Sequence, residues 1–471
     1  DTRHHAIASK IPVLEPSDSQ ETLEFVKIAF DISERFDTPV IVKMCTRISH
    51  SQSVVDTSER EERETIPYVK DPAKYVMVPA NAKIRHPFVE ERTKKLAEWG
   101  NTSGINRVEK AVDPECKRGF ITGSTSYQYI KEVFGDSVSV LKLGMPYPFP
   151  DELIKEFAKD LDDITVAEEM DPIVEEHCKA LGINVHGKDL LPMVGEYSQN
   201  LIAKVLAGQE VDEESKCDIE TPVRPPIMCP GCPHRGIFYT LKRNKCIVIG
   251  DIGCYTLAAA EPLASMDMTL CMGASVSATH GFLKALGEDA PKNVVGVIGD
   301  STFIHSGMTG LAEIAYNQSN ATIVILDNST TGMTGQQENP TTGYNIKGDP
   351  AGKIDLEALV KAMGIRRVRV VDPLDLKACN AVVKEELAAD EPSVIITRRP
   401  CVLLKSVKKL PALRVNPDKC TGCGACMKIG CPALAMKDGK VVVDETLCVG
   451  SGCNLCTQMC GFGAFEYPGE E

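Results

Sequence analysis

No apolar run in the 471-residue sequence is long enough for a membrane-spanning helix, and no secretion-signal pattern opens it. Basic residues are in the minority. The 52 Lys and Arg face 66 Asp and Glu, and the net charge of −14 argues against nucleic acid or an anionic membrane as partner. Anionic cofactors are compatible with that charge only where backbone N–H groups and a metal hold them locally. No unit repeats along the chain, apart from the two halves of a short C-terminal segment. What remains is ordinary: 43% apolar and 25% charged residues, as in a globular protein, and a length suited to three or four domains.

Cysteine is not scarce. There are 19, and eight fall between Cys420 and Cys460. Disulfide scaffolds of that density belong to small secreted chains, which this is not. The expectation is a reducing cytoplasm, that of an anaerobe, with cysteines spaced for metal.

Alternating strand and helix patterns predict a multidomain α/β fold, followed by a small Cys-rich domain at the C-terminal end. In residues 1–55, residues 11–15 and 40–44 read as strands around a helix over 19–36, with Leu23, Val26, Phe30 and Ile32 apolar. One such unit cannot bury its own sheet, and N-terminal sequence is expected to be missing or on another piece. Residues 56–105 read as a linker. It opens on the charged run 58–64 and has little periodicity over 70–105. A second α/β domain spans 106–205, with strands at 118–123, 138–143 and 164–168. Its Gly turn at 122–126 lacks a full GxGxxG, so a structural or interfacial role is expected there. Residues 206–226, acidic then Pro-rich, mark a boundary. A third α/β domain covers 227–410, with buried strands at 246–249, 294–298, 321–326 and 393–397. The Cys-rich domain fills 411–471.

In the third domain the strand ending at Gly299-Asp300-Ser301 is followed by a helix over 307–316, and the next strand ends at Asp327-Asn328. Asp300 and Asn328 therefore lie at the carboxyl ends of neighbouring parallel strands, where such sheets bind ligands. A carboxylate, an amide oxygen and a backbone carbonyl (Thr330 is the candidate) suit Mg²⁺, with diphosphate oxygens completing its shell. Gly299 lets the backbone approach the phosphates, and the helix offers its N-terminal N–H groups. An ordinary βαβ turn is the plain alternative.

Cys420-x2-Cys423-x2-Cys426-x4-Cys431-Pro432 and Cys448-x4-Cys453-x2-Cys456-x3-Cys460 form the C-terminal pair of runs. In two-cluster ferredoxins the fourth Cys of each run serves the other cluster. That assigns Cys420, Cys423, Cys426 and Cys460 to one 4Fe–4S cluster and Cys431, Cys448, Cys453 and Cys456 to the other. Both runs depart from the usual spacing, and Gly461 replaces the usual Pro. Paired zinc sites are the alternative, with eight Cys and no His.

The GDS and DN pair resembles the thiamine diphosphate (ThDP) motif of 2-oxoacid-metabolising enzymes. In such enzymes a bulky apolar residue at the position of Met272 props the cofactor in its bent form; a core Met is the alternative. The wider pattern is CPGCPHRG at 229–236, GDIGCYT at 250–256, MGAS at 272–275, GDSTF at 299–303 and DN at 327–328, then a ferredoxin domain. It resembles the alpha subunits of indolepyruvate:ferredoxin oxidoreductases, within the ThDP-dependent 2-oxoacid:ferredoxin oxidoreductases. The resemblance makes 1–55 the end of a pyrimidine-binding domain, 106–205 a transketolase-C-like domain and 227–410 the diphosphate-binding domain. It implies a third 4Fe–4S cluster on Cys229, Cys232, Cys254 and Cys401; a zinc site using His234 and free buried thiols are alternatives. The implied reaction joins an aryl pyruvate, CoA and oxidised ferredoxin to give arylacetyl-CoA, CO2 and reduced ferredoxin, with a smaller beta subunit as partner. The catalytic Glu of the pyrimidine-binding domain is matched by no residue here. Another 2-oxoacid:ferredoxin oxidoreductase, a simple ThDP decarboxylase and an electron-transfer scaffold are the competing readings.

Overall fold

The computed structural model describes residues 1–62, 64–211 and 225–468, so most of the expected boundary at 206–226 lies outside the described residues. The chain divides into two compact units, 1–220 and 221–471. Among the described residues no helix is long and apolar enough to cross a membrane.

In the first unit, β1 (Val13–Leu14) and β2 (Ile41–Val42) run parallel, joined by the helix Ser19–Phe36. Asp18 caps that helix, accepting the Glu21 N–H at 2.8 Å. The helix is the expected one, but the face it buries is not. Val26 and Phe30 face solvent, and Phe25 and Ile32 are buried. A two-stranded fragment cannot hide its apolar side alone. It docks on the next domain, where the Val13 and Glu15 N–H groups donate to the carbonyls of Tyr147 and Gly144 (2.9 and 2.8 Å). That domain carries β3 (Arg107–Glu109), β4 (Arg118–Gly123), β5 (Ser139–Leu143) and β6 (Asp163–Ala167), ordered β3-β5-β4-β6, with β3 antiparallel and the rest parallel.

Much of the expected linker is helical. Pro79–Thr102 is a 24-residue helix with Pro79 in its first turn and Pro87 inside it. Its surface is mostly polar, with His86–Glu90 and Lys95–Glu91 pairs four residues apart; Ile84 and Phe88 are exposed, and only Leu96 and Gly100 are buried. An apolar stripe that short leaves no readable period.

A buried ion pair joins the fragment to the second sheet. Lys142 on β5 is fully buried and donates to Glu21 at 2.5 Å, and Arg107 reaches the other oxygen at 3.0 Å. Burial opposes the Glu21 charge, yet the Lys142 ammonium holds its carboxyl down to about 2. Lys142→Met should destabilise this unit by about 3 kcal/mol, the low end for breaking a buried pair, because Arg107 and Ser17 still hold the carboxylate. The sole Trp of the chain, Trp99, packs beside Phe36 in this unit, so its fluorescence reports the urea transition. An unmoved midpoint would show that the pair is energetically idle.

In the second unit, β7 (Ile247–Gly250), β8 (Met268–Thr269), β9 (Val294–Gly299), β10 (Thr322–Asp327), β11 (Arg367–Val371) and β12 (Ser393–Arg398) form one parallel sheet, ordered β11-β12-β10-β9-β7-β8. Four are the expected apolar runs. The helices His234–Arg243 and Leu376–Leu387 cover one face, packing Phe238, Leu241 and Val383 on Val248, Val324 and Ile395. Ala274–Leu286, Met308–Tyr316 and Leu356–Ala362 cover the other. The chain leaves β7 for the edge strand β8 and returns to β9 on β7's other side. This reversal opens a crevice at the carboxyl ends.

The C-terminal domain holds the antiparallel pair β13 (Arg414–Val415) and β16 (Phe465–Glu466) and the hairpin β14 (Leu434–Lys437) and β15 (Lys440–Val443). The hairpin turns at Asp438-Gly439, both at positive φ (49° and 75°), as a tight two-residue turn requires. Its core continues into the sheet domain. Leu374 and Leu376 pack with Ile429, Leu434 and Leu455.

Candidate active site and iron–sulfur sites

The crevice of the parallel sheet holds a cavity lined by Met272, Gly299, Asp300, Ser301, Asn328 and Thr330, the six residues expected around the diphosphate. His234, Cys254, Tyr255 and Gly332 line it too. Asp300 follows β9 and is 2% exposed. Its Oδ1 accepts the Ser301 N–H at 2.8 Å and its Oδ2 the Thr341 hydroxyl at 3.3 Å. Burial, with the Asp327 charge adding, pushes the Asp300 carboxyl up to about 7. Asn328 follows β10, its Nδ2 donates to His234 Nε2 at 3.4 Å, and among the described residues no donor is seen on its Oδ1. Burial alone pushes the His234 imidazole down to about 4, so the neutral ring serves as that acceptor.

Two expectations change. The helix begins at Asp300 itself, passes through a π-helical turn at Phe303–Gly307, and continues as Met308–Tyr316. The first-turn N–H groups therefore stand nearer to Asp300 than a helix starting at residue 307 allows. Gly299 answers first to a side chain. Its N–H donates to Tyr255 Oη at 3.0 Å, and a Cβ there would stand 3.1 Å from the Tyr255 ring.

The donor set fits a divalent cation with diphosphate. Asp300 supplies a carboxylate and Asn328 an uncommitted carboxamide oxygen, the hard donors that Mg²⁺ prefers. Behind Asp300, the Thr341 hydroxyl that reaches it at 3.3 Å also lies 2.6 Å from Asn339 Oδ1. His234 and Tyr255 escaped sequence reasoning as cavity residues, because other turns of chain bring them to the β9 and β10 ends.

Every described cysteine is free of disulfide bonds. One cavity is lined by Cys420, Cys423, Cys426 and Cys460, and a second by Cys431, Cys448, Cys453 and Cys456. Each quartet takes three cysteines from one run and one from the other. Cys426 of the first acts electrostatically on Cys456 of the second. Pro230 and Gly231, between Cys229 and Cys232, line the second cavity as well. Cys229, Cys232, Cys254 and Cys401 also come together. Cys229 and Cys401 both act on Cys232 and on Cys254, although burial is what pushes the Cys232 thiol up to about 12. Among the described residues no three His, Cys, Asp or Glu side chains close on a point as one metal ion requires.

The chain is 39% identical to the indolepyruvate oxidoreductase subunit IorA of Pyrococcus horikoshii, over 99% of this chain and 79% of that protein. It is 35% identical to the same subunit of Methanothermobacter thermautotrophicus, over 100% of this chain and 79% of the relative. The chain belongs to the IorA family. Within this IorA chain, residues 251–397 match the thiamine pyrophosphate enzyme C-terminal TPP binding domain, and residues 413–435 match the 4Fe-4S binding domain. It is an oxidoreductase with both kinds of domain. A solved 2-oxoglutarate:ferredoxin oxidoreductase from Magnetococcus marinus aligns with a TM-score of 0.34 at 20% identity, over 42% of this chain and 74% of that one.

Proposed function

We propose that this IorA chain catalyses the oxidative decarboxylation of indolepyruvate and related aryl pyruvates with CoA, giving arylacetyl-CoA and CO2 and passing electrons to external ferredoxin. A smaller beta subunit completes the enzyme. The observation that carries the reading is the continuity between the cofactor cavity and the cysteine quartets: Cys254 lines the one and belongs to the other.

ThDP supplies an electron sink for the pair left behind when CO2 departs. The chain's own residues hold and screen it. Asp300, Asn328 and the Thr330 backbone carbonyl are the Mg²⁺ ligands, and Ser301 with the first-turn N–H groups faces the diphosphate. Met272 is the apolar prop. Cys229, Cys232, Cys254 and Cys401 hold the inner 4Fe–4S cluster. The quartet of Cys431, Cys448, Cys453 and Cys456 follows, and then that of Cys420, Cys423, Cys426 and Cys460. Cys423 is exposed, which favours this last quartet as the exit.

Anaerobic mixing of the holoenzyme, beta subunit included, with a panel of 2-oxoacids tests the proposal. Indolepyruvate should bleach the iron–sulfur absorption fastest, and sustained reduction of added ferredoxin should need CoA. Release of CO2 with no bleaching would make this a simple decarboxylase. Faster reduction by an aliphatic 2-oxoacid would move the substrate class.

A further inference from the structure

Arg235 is 3% exposed, yet it pairs with no carboxylate among the described residues. Its Nη2 donates to the carbonyls of Met228 and Cys229 (2.6 and 3.0 Å), and its Nη1 to those of Ile429 and Gly430 (3.1 and 2.5 Å). Its Nε is buried without a partner. One edge of the guanidinium thus grips the backbone of Cys229, in the inner quartet. The other edge grips the residue before Cys431, in the second quartet. A buried cation is costly unless negative charge lies near it, and four carbonyl dipoles supply only part of that.

The remaining negative charge is at hand if both quartets are loaded. A cluster held by four thiolates carries net negative charge, and reduction adds one unit more. The guanidinium is near enough to feel both. It bonds the carbonyl of Cys229, a ligand of the inner quartet, and the carbonyl of Gly430, the residue before Cys431 of the second.

We propose that Arg235 is a positioning and tuning residue of the electron path, the shared counter-charge of the inner cluster and its ferredoxin-domain neighbour, which raises the reduction potentials of both. The inference rests on the cluster assignment of the preceding section. A fixed positive charge in a low-dielectric setting favours the more negative, reduced state of each cluster. One electron moves per step, so the inner site loses what the next site gains. The guanidinium stays protonated throughout and exchanges no proton. Because it serves both sites, it eases arrival of the electron at the second without trapping it on the first.

The test is potentiometry of the anaerobically purified holoenzyme, monitored by EPR, on Arg235→Gln and Arg235→Lys. Arg235→Gln keeps amide donors and removes the charge, so the midpoints of the inner and second clusters should both fall while that of the Cys420 cluster stays. Arg235→Lys keeps the charge but cannot span four carbonyls, so its midpoints should stay close to those of the unmodified protein. Equal midpoints in Arg235→Gln and the unmodified protein, at full iron content, would reduce Arg235 to a structural clasp. Equal falls in both variants would assign the effect to lost hydrogen bonds and overturn the charge role. Iron content separates this inference from its basis, because unmodified protein with fewer than about twelve iron atoms would refute the three-cluster assignment itself.

Discussion

Asp300→Ala should leave the purified protein without ThDP or Mg²⁺ while its visible iron–sulfur absorption stays intact. Among the described residues Asp300 is the only carboxylate lining the cavity, and it lies 2% exposed just after β9. Changing residues that merely orient metal ligands costs about 10–100-fold in affinity, so removing a ligand should weaken binding by more than about a hundredfold. Calorimetric titration of cofactor-free protein with Mg²⁺ and ThDP reads this directly, and wild-type affinity in the variant would remove Asp300 from the metal site. The pH dependence has a definite sign. Burial, with Asp327, pushes the carboxyl up to about 7, whereas the metal binds only the ionised form. Affinity should therefore fall about tenfold per unit as pH drops below about 7, with a proton released on binding. In the metal-free protein, an acid raised in the fold costs stability as pH climbs from about 4 to about 7. Mg²⁺ should cancel that loss, and Asp300→Ala should not show it.

The second large effect concerns iron. Three four-iron clusters imply about twelve iron atoms per chain, and Cys254→Ser should lower that to about eight. Cys254 alone among these four cysteines lines the cavity, so under the proposed assignment its cluster should be the first to receive electrons. The variant should keep ThDP and the ferredoxin-domain signals, yet its clusters should be reduced far more slowly by 2-oxoacid. Cys254→Ala guards against a serine oxygen holding the iron. About eight iron atoms in the unmodified protein, unchanged by either substitution, would make these cysteines structural.

Much of the sheet was legible because parallel strands buried on both faces are written as unbroken apolar runs. Residues 294–298, 321–326 and 393–397 are such runs, and they became β9, β10 and β12. β11 was not legible, since Arg367 and Arg369 alternate with valines and reach Glu386 and Glu385 outside the sheet. The helix Pro79–Thr102 went unread because it buries too little. The cysteine quartets are written in spacing, but the wider cavity is not. Tyr255 and His234 reach it only because β7 and β9 are neighbours, a relation that sits in no local window of sequence. Val26 and Phe30 show the converse: their periodicity marked the helix but not its buried side.

The shared core of Leu374 and Leu376 with Ile429, Leu434 and Leu455 has a consequence for engineering. A ferredoxin carried on a tether could be exchanged like a plug, and its cargo would arrive by diffusion. Here the partners are fused through apolar side chains, so a cut at residue 411 strips a surface that was never meant to meet water. A transplanted module would need matching residues on that face before it conducted anything. A substitution on either side of that core therefore changes the packing of both parts.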